Sequence, residues 1–200
     1  MTELPRHKGE LRLPNSSIRY IPDFFTPEEA SQLYTQLKEE CAWRSDRIQV
    51  FGKWYDQPRL TALYGEEGRS YTYSGIAMHP LPFTPLLQSI KAKAEACSEA
   101  NFSSCLLNYY RNGGDSNGWH ADDEPELGIN PVIASISLGS PRYFHLRPKK
   151  ATYDTYKLLL SPGSLLVMGG ETQHHWQHQI PKSKRITEGR INLTFRNILP

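Results

Sequence analysis

The sequence predicts an α+β protein in which two amphipathic helices pack against a β-sandwich or barrel. Two capped helical patterns lie in the first half of the 200-residue chain. After residue 102 the helical period disappears, and short β-like runs alternate with turns rich in glycine and proline. Short strands at this spacing are typical of a sandwich or barrel, and helices that precede them can cover one sheet from outside.

The two helices are predicted from their start signals and their apolar stripes. Thr26 and Glu29 form a capping box around a proline, and this helix is expected to run to about Glu40. Thr84, again followed by a proline, caps a second helix at about 85–99. The predicted buried stripes are Ala30, Leu33, Leu37 and Cys41 in the first helix and Leu87, Ile90, Ala94 and Cys97 in the second.

The strands are predicted from short alternating runs bounded by turn residues. Before the second helix, the runs are 17–21, 49–54 (two strand ends joined at Gly52) and 71–73. Residues 1–15 are polar, and we expect a flexible segment in front of a single domain at 16–200. The runs after the second helix are 104–110, 132–138, 143–147, 156–160, 164–168, 174–178 and 190–198.

The charge balance gives only a weak indication of a partner. Lysine and arginine total 23 against 21 acidic residues, and the net charge of +2 is too small to indicate a nucleic-acid-binding protein. An anionic partner would therefore need a local patch, and two basic clusters either form one or are solvated loops. These clusters are Arg142, Arg147, Lys149 and Lys150, followed by Lys182, Lys184 and Arg185.

The chain also lacks the signals of membrane or secreted proteins. No apolar run approaches the roughly 18 residues of a membrane helix, and the first residues contain no apolar signal region. We therefore expect an intracellular protein, cytoplasmic in a bacterium and nuclear in a eukaryote. Cys41, Cys97 and Cys105 are odd in number and widely spaced, which favours reduced thiols over a disulfide framework or a zinc site.

One short motif indicates metal chemistry. His120 and Asp122 are two residues apart, so that a strand would point both side chains to one face. An imidazole and a carboxylate on one face supply two of the three ligands of a non-haem Fe(II) site, although a loop histidine with acidic neighbours would give the same pattern. His174, His175 and His178 are candidates for the third ligand, and the spacing to the terminal strand favours His178.

The terminal strand places two arginines on one face. In 190–196, period two puts Arg190 and Arg196 on the face opposite the apolar residues. Buried arginines are costly unless they meet anions, and their planar fork binds carboxylates in a bidentate manner. The pattern therefore indicates that the protein binds a small dicarboxylate. The alternative is that 190–196 is an edge strand whose arginines are solvated. Asn108 and Tyr110 are also two apart, on the strand that leads to His120.

Together these motifs resemble the AlkB-type Fe(II)/2-oxoglutarate dioxygenases, and most closely those members that repair alkylated bases in double-stranded DNA. The resemblance runs from about residue 17 to the C-terminus. It implies a double-stranded β-helix (jelly-roll) core at about 102–200 and a β-hairpin nucleotide-recognition lid at about 42–79. It rests on Asn108-x-Tyr110, His120-x-Asp122-Asp123-Glu124, Gln173, Trp176-Gln177-His178-x-x-Pro181-Lys182 and Arg190-x-Asn192-Leu193-Thr194-Phe195-Arg196.

The resemblance assigns a role to each matching residue. It implies that His120, Asp122 and His178 bind iron and carry the catalysis. The 2-oxoglutarate positions are Asn108, Tyr110, Arg190, Asn192, Thr194 and Arg196. The substrate positions are Val50, Phe51, Gly52, Lys53, Arg59, Tyr71, Tyr73, Ser74, Asp123 and Glu124, with Phe51 as a finger that enters the base stack and Tyr73 stacked on the flipped base.

The activity implied is oxidative dealkylation of DNA bases of the 1-methyladenine or 3-methylcytosine type. Fe(II), 2-oxoglutarate and O₂ are required, and an aldehyde, succinate and CO₂ are released. Double- or single-stranded alkylated DNA is the expected partner, RNA is a further one, and the protein is expected to be a monomer. The alternatives are an RNA demethylase or a protein hydroxylase on the same fold, and a non-catalytic, cupin-like metal-binding module.

Overall fold

The computed structural model describes residues 1–45, 47–50, 53–67, 71–73, 76–151 and 153–199. For residues 48–50, 53, 54, 71–73 and 76–78 it describes the backbone only. The helical elements are α1 (Pro27–Glu40), α2 (Pro85–Ser98), a 3₁₀ turn (Pro125–Leu127) and α3 (Thr172–His175). The strands are β1 (Thr2–Glu3), β2 (Gly9–Glu10), β3 (Ser17–Ile21), β4 (Arg47–Val50), β5 (Lys53–Asp56), β6 (Leu60–Gly65), β7 (Tyr71–Tyr73), β8 (Ile76–Met78), β9 (Leu81–Pro82), β10 (Ser104–Tyr110), β11 (Asn117–His120), β12 (Ile133–Gly139), β13 (Arg142–Pro148), β14 (Tyr156–Leu160), β15 (Ser164–Gly169), β16 (Trp176–Ile180) and β17 (Arg190–Arg196).

Two facing sheets form the core, in the jelly-roll arrangement that the sequence analysis expects. The minor sheet has the strand order β1-β14-β13-β16-β11, and the major sheet has the order β2-β3-β15-β12-β17-β10-β6-β9. Strand β17 pairs with β12 on one side and β10 on the other, so it is a central strand and not a solvated edge. The β4–β5 and β7–β8 pairs form two separate antiparallel ribbons.

The major sheet is apolar on its outer face because two helices cover it. Ile191, Leu193 and Phe195 of β17 lie in one apolar cluster with Ala30 of α1 and Leu87 of α2. Alternation along the strand sends the intervening β17 residues to the opposite face, between the two sheets. The polar face of β17 is therefore enclosed by the sandwich.

Both helices begin where their caps predict. The Thr26 hydroxyl accepts from the Glu29 amide at 3.2 Å, and the Thr26 amide donates to the Glu29 carboxylate at 2.8 Å, which completes the capping box. The Thr84 hydroxyl accepts from the Leu87 amide at 3.2 Å. These local bonds fix where each helix begins. Of the predicted stripe residues, Leu33, Cys41 and Cys97 are only partly buried, whereas the others are buried as expected: Ala30, Leu37, Leu87, Ile90 and Ala94.

The N-terminal segment differs from the expected flexible tail. Leu4, Leu11 and Leu13 are buried in the cluster between the sheets, and β1 and β2 pair with β14 and β3. The Trp176 indole donates to the Pro14 carbonyl at 2.9 Å, which fixes the end of the segment. Three leucines spaced among charged residues are enough to bind this segment to the core.

The strand predicted at 174–178 begins two residues later than expected and runs from Trp176 to Ile180. The amides of His174 and His175 donate to the Glu171 carbonyl at 3.0 and 3.3 Å, which gives a single helical turn before β16. Alternation is regular only from Trp176 onward, where Trp176 and His178 point inward. In the described part of the chain, no helix is long and apolar enough to cross a membrane.

Candidate active site

Two neighbouring strands of the minor sheet bring the predicted metal ligands together. His120 on β11 lies directly opposite His178 on β16, and their ring centroids are 4.2 Å apart. Asp122 follows β11 by two residues and is 1% exposed. One ligand atom from each of these three residues lies within 4.8 Å of the others, a spacing that a single metal ion can bridge.

Each ligand is oriented by a separate contact. His120 Nδ1 donates to the Gly118 carbonyl at 2.8 Å, which leaves the lone pair on Nε2. The Asp122 amide donates to the Gln173 side-chain oxygen at 2.9 Å, and this bond fixes the loop after β11. The His178 ring stacks on Phe144, with centroids 5.0 Å apart. Contacts of this kind set the direction of ligand atoms and are part of a metal site.

Burial and charge keep the three groups in the protonation states that bind metal. Burial, with the neighbouring His120, lowers the pKa of His178 to about 3, and burial also lowers the pKa of His120. Burial alone would raise the pKa of Asp122, but the Arg196 charge and the two imidazoles hold it below its ordinary value. At neutral pH the site therefore offers two neutral imidazoles and one carboxylate.

A polar wall faces this triad from the major sheet. The polar face of β17 and the inward side chains of β10 line the same pocket as the metal ligands. The register of β10 and β17 places Asn108 opposite Asn192 and Tyr110 opposite Arg190. These are two neighbouring cross-strand pairs on the same face of the sheet. Thr194 donates to Asn192, which in turn donates to the Ser135 hydroxyl, each at 2.9 Å.

Arg190 provides the best evidence for an anionic ligand in this pocket. Its side chain is 1% exposed, and its Nη2 donates to the Ser137 hydroxyl at 2.9 Å. Among the described residues, no partner accepts from its buried Nε and Nη1 atoms. Burial, with the nearby Arg142 charge, lowers the pKa of Arg190 to about 10, so the group stays charged at neutral pH. A carboxylate would satisfy both free donors in a bidentate manner.

The fold and the site together define a class of protein. A jelly roll that presents two histidines and a carboxylate from adjacent strands, beside a buried arginine, is built as a non-haem metal oxygenase with an anionic cosubstrate. The 2OG-Fe(II) oxygenase superfamily matches residues 17–196, and the chain belongs to that family. The protein is a dioxygenase, as the sequence analysis expects.

Curated relatives agree with the AlkB-type resemblance. The chain is 42% identical over 194 residues to the human (Homo sapiens) alpha-ketoglutarate-dependent dioxygenase alkB homolog 3, an alignment that covers 92% of this chain and 67% of the relative. It is 38% identical over 185 residues to the human DNA oxidative demethylase ALKBH2, covering 88% of this chain and 71% of the relative. The ALKBH2 of Arabidopsis thaliana is 34% identical over 210 residues, with 92% and 67% covered.

Solved structures confirm the fold. The structure of OsALKBH1 aligns with a TM-score of 0.65 at 17% identity and covers 93% of this chain and 99% of that chain. An oxidoreductase of the 2OG-Fe(II) oxygenase family from Burkholderia pseudomallei aligns with a TM-score of 0.59 at 13% identity, with 91% and 87% covered.

The residues present fit the cofactors of this family, which are Fe(II), 2-oxoglutarate and O₂. Two imidazole nitrogens and one carboxylate on one side of a metal are the ligand set of non-haem Fe(II) oxygenases. The unpaired donors of Arg190 fit a carboxylate of the keto acid. His174 bonds to Asn130 at 2.9 Å and His175 faces Glu171, so both lie outside the triad.

The predicted substrate residues are only partly described. Arg59 is buried, and its Nε donates to the Asn108 side-chain oxygen at 2.6 Å, which connects it to the predicted cosubstrate wall. Asp123 is exposed and pairs with Lys149 at 2.6 Å, whereas Glu124 is half-buried at the start of the 3₁₀ turn. Their substrate roles remain predictions.

The side chains of the predicted lid residues lie outside the described part of the chain. Phe51, Gly52 and Ser74 are outside the described residues altogether. For Val50, Lys53, Tyr71 and Tyr73 only the backbone is described, in β4, β5 and β7.

The two basic clusters differ in character. Arg142 is 1% exposed and donates to the backbone carbonyls of Asn112, Asp115 and Pro181, so both alternatives for this residue, a phosphate contact and a solvated loop, are wrong. Arg147 lies in the same strand, β13, but points to the opposite face. There it packs over the Trp119 ring at 4.4 Å, on the outer face of the minor sheet. The exposed cations of the second cluster are Lys182, Lys184 and Arg185.

Sequence reasoning missed two residues that position side chains of the pocket, one at the triad and one at Arg190. Phe144 stacks on His178, and period two in 142–148 could have placed it on the inward face. Ser137 holds Arg190, and alternation along β12 turns it to the same face as Ser135. Both signals were present in the sequence, but small polar or lone aromatic residues in a strand do not by themselves indicate a site.

Proposed function

We propose that this protein removes alkyl groups from the ring nitrogens of bases in DNA, with Fe(II), 2-oxoglutarate and O₂. The observation that carries the proposal is a candidate three-residue metal site in one pocket with a buried arginine, whose Nε and Nη1 have no acceptor among the described residues. The human relative named as a DNA oxidative demethylase supports the choice of substrate. When bound, the metal, the keto acid and O₂ supply the oxidation of a C–H bond, with succinate and CO₂ as coproducts.

In this proposal His120, Asp122 and His178 hold the metal from one side. When bound, the metal would be held by these three side chains and would still be accessible to the keto acid and O₂. Arg190 binds a carboxylate of 2-oxoglutarate through Nε and Nη1, and Tyr110 packs against the same guanidinium at 5.2 Å. Oxidation of the carbon attached to a ring nitrogen gives an unstable product that loses an aldehyde and restores the base.

The depth of the site supports a substrate that leaves the base stack. Asp122 is 1% exposed and His178 is 6% exposed, so an atom inside a duplex cannot reach the metal position. A base must be flipped out or lie in a single strand, at a cost of a few kcal/mol that is smaller for a lesion that cannot pair.

The basic loop after β16 supports contacts with the phosphate backbone. Gln179 and Ile180 line the pocket, and the chain continues directly into exposed Lys182, Lys184 and Arg185. Each phosphate contact that is removed lowers the salt slope of duplex binding by about 0.9. Lys182→Ala with Lys184→Ala should therefore weaken DNA binding and flatten its salt dependence, whereas Lys149 is already paired with Asp123.

The test compares lesions and strand types side by side. 1-Methyladenine and 3-methylcytosine are presented in single- and double-stranded DNA and RNA, and restored base, aldehyde and succinate are measured together. We expect equal amounts of restored base and aldehyde on DNA, with Asp122→Ala as the inactive control. A preference for RNA would shift the proposal to an RNA demethylase. Succinate formation that no methylated oligonucleotide stimulates would contradict nucleic-acid dealkylation.

A further inference from the structure

Two loops meet at one end of the minor sheet, beyond the last paired residues of the metal-ligand strands. We name residues 111–116, which lead into β11, the glycine loop. We name residues 181–186, which follow β16, the basic loop. Asn117 pairs with Ile180 at the base of the two loops, and both residues line the metal pocket. The position of the basic loop relative to the pocket therefore depends on what holds these two loops together.

The loops are joined backbone to backbone at Gly113. The Gly113 amide donates to the Ile186 carbonyl, and the Ser183 amide donates to the Gly113 carbonyl, each at 2.8 Å. A Cβ atom on Gly113 would lie 1.8 Å from the Ser183 oxygen and 2.7 Å from the Ile186 oxygen. Both obstacles are backbone atoms that cannot rotate away. Only glycine permits this approach.

Arg142 joins the same two loops from the interior. Its Nη1 donates to the Asn112 carbonyl at 3.2 Å, and its Nη2 donates to the carbonyls of Asp115 at 2.9 Å and Pro181 at 2.6 Å. Two acceptors belong to the glycine loop and one to the basic loop. A planar guanidinium can serve three carbonyls at fixed angles, which a flexible ammonium does less well.

The glycine loop is itself fixed on its far side. Arg111 binds the Asp115 carboxylate through Nε and Nη2 at 2.8 and 2.9 Å, which closes the loop. The Ser116 amide donates to the Pro58 carbonyl at 2.8 Å, which ties the loop to the segment before β6. The basic loop is therefore held by a glycine loop that is closed by its own ion pair and bonded to the segment before β6.

We infer that Gly113 and Arg142 are positioning residues for nucleic-acid binding, because they fix the basic loop beside the pocket before substrate arrives. The inference rests on the proposed function for the role of Lys182, Lys184 and Arg185. A loop that is held in its binding position loses little conformational entropy when it contacts phosphate, so the support raises affinity without touching the ligand.

The first measurement follows the loop without any nucleic acid. Trypsin cuts after lysine and arginine, and the basic loop contains three such residues. In Gly113→Ala the added Cβ collides with the basic loop and breaks the two backbone hydrogen bonds at this position, so we expect cleavage within the basic loop to be faster by about tenfold or more. Hydrogen exchange of the Ser183 amide, which the Gly113 carbonyl protects, should accelerate in parallel.

The second measurement separates positioning from general damage. Binding of a labelled single-stranded oligonucleotide that contains 1-methyladenine should weaken by about tenfold in Gly113→Ala. The KM for that substrate should rise while kcat and the Kd for Mn(II) and 2-oxoglutarate stay within about twofold of the parent, since a merely structural fault would change all of them. Gly169→Ala is the control, because its Cβ would meet only the Val132 side chain at 3.8 Å.

Arg142→Lys is the second variant, which keeps the charge but not the planar fork. The expected result is the same pattern of faster trypsin cleavage and raised KM. Unchanged cleavage and KM in either folded variant would overturn the inference. The double variant Lys182→Ala, Lys184→Ala tests the proposed phosphate contacts separately. If this variant binds DNA like the parent, those contacts are absent. Hydrogen exchange of the Ser183 amide still decides whether Gly113 and Arg142 hold the loop.

Discussion

Arg196 donates from Nη2 to Oδ1 of Asp122 at 2.5 Å, and both side chains are almost completely buried. The other carboxylate oxygen, Oδ2, lies 3.8 Å from His178 Nε2, on the side of the metal triad. Arg196 thus engages one oxygen, keeps the buried carboxylate ionised and leaves the second oxygen for a metal. A residue that the resemblance assigns to the cosubstrate therefore also contacts a residue of the candidate metal site.

The contact with Asp122 predicts different effects for substitutions of Arg196 and Arg190. Arg196→Met should weaken the binding of both Mn(II) and 2-oxoglutarate, because it leaves a buried carboxylate without its partner. Arg190→Met should weaken 2-oxoglutarate alone, by at least about tenfold, since a lost charge-assisted bond in a buried site costs about 1.5–3 kcal/mol. Calorimetric titration of Mn(II), and then of 2-oxoglutarate into the Mn(II) form, measures both affinities.

Arg147→Met is the matched control for these two arginines, because Arg147 packs on Trp119 at the outer face of the minor sheet. It should leave both affinities as in the parent. If Arg196→Met bound Mn(II) as tightly as the parent, the ion pair with Asp122 would have no part in the metal site. Unchanged 2-oxoglutarate affinity in Arg190→Met would remove that residue from the cosubstrate position.

The metal triad is tested by removing single ligands. His120→Ala or Asp122→Ala should abolish turnover and weaken Mn(II) binding by more than about tenfold, while the cooperative unfolding transition is retained. His174→Ala is the control, because its ring bonds to Asn130 outside the triad. Loss of Mn(II) binding in the control, with retention in His178→Ala, would show that the third ligand is a different histidine.

The buried histidine predicts how the stability of the metal-free protein depends on pH. The pKa of His178 is about 3 in the folded chain, because of burial and the neighbouring His120, against 6.5 for an ordinary histidine. As pH falls from 6.5 toward 3, only the unfolded chain takes up this proton, so the free energy of unfolding decreases. The slope from one such group is at most about 1.4 kcal/mol per pH unit.

Urea denaturation of the metal-free protein between pH 7 and pH 4.5 measures this slope. His178→Gln removes the group, so the fall in stability toward acid should be shallower than in the parent. His174→Gln is the control for the replacement of a histidine outside the triad. Equal slopes in His178→Gln and the parent would show that His178 does not titrate between the folded and unfolded states.

The terminal strand shows how far local pattern determines this site. Period two in 190–196 separates Ile191, Leu193 and Phe195 from the arginines, and the structure places the first set against the helices and the second in the pocket. The pattern alone could not tell a central strand from an edge strand. Pairing of β17 with both β10 and β12 decides this question, because it encloses the arginines.

Arg142 shows the limit of such reasoning. In the sequence it begins a basic cluster, and charge alone left open whether it contacts phosphate or lies in a solvated loop. Its three acceptors are main-chain carbonyls of residues 112, 115 and 181, which are distant along the chain and carry no side-chain signal. The same applies to Leu4 and Leu11, whose burial depends on sheets formed by residues far downstream.

The hairpin predicts which strand type the protein repairs. Phe51 precedes Gly52 in the sequence, and the flanking strands β4 and β5 pair with Val50 opposite Lys53. Phe51 and Gly52 lie outside the described residues, so the role of Phe51 stays a prediction from the sequence and the resemblance. An aromatic side chain presented at a hairpin turn gains little in water, whereas stacking in the gap left by a flipped base is worth about 1–3 kcal/mol.

Phe51→Ala should therefore slow repair of 1-methyladenine in double-stranded DNA by about tenfold to a hundredfold, the rate equivalent of that stacking energy. Repair of the same lesion in a single strand should change little, because no gap has to be filled. Tyr73→Ala removes the predicted stack on the target base itself and should impair both substrates. The single-turnover rate on each strand type measures the difference. An equal loss on both strand types in Phe51→Ala would mean that Phe51 supports the fold or the pocket, and the prediction of duplex repair would lose its main support in the sequence.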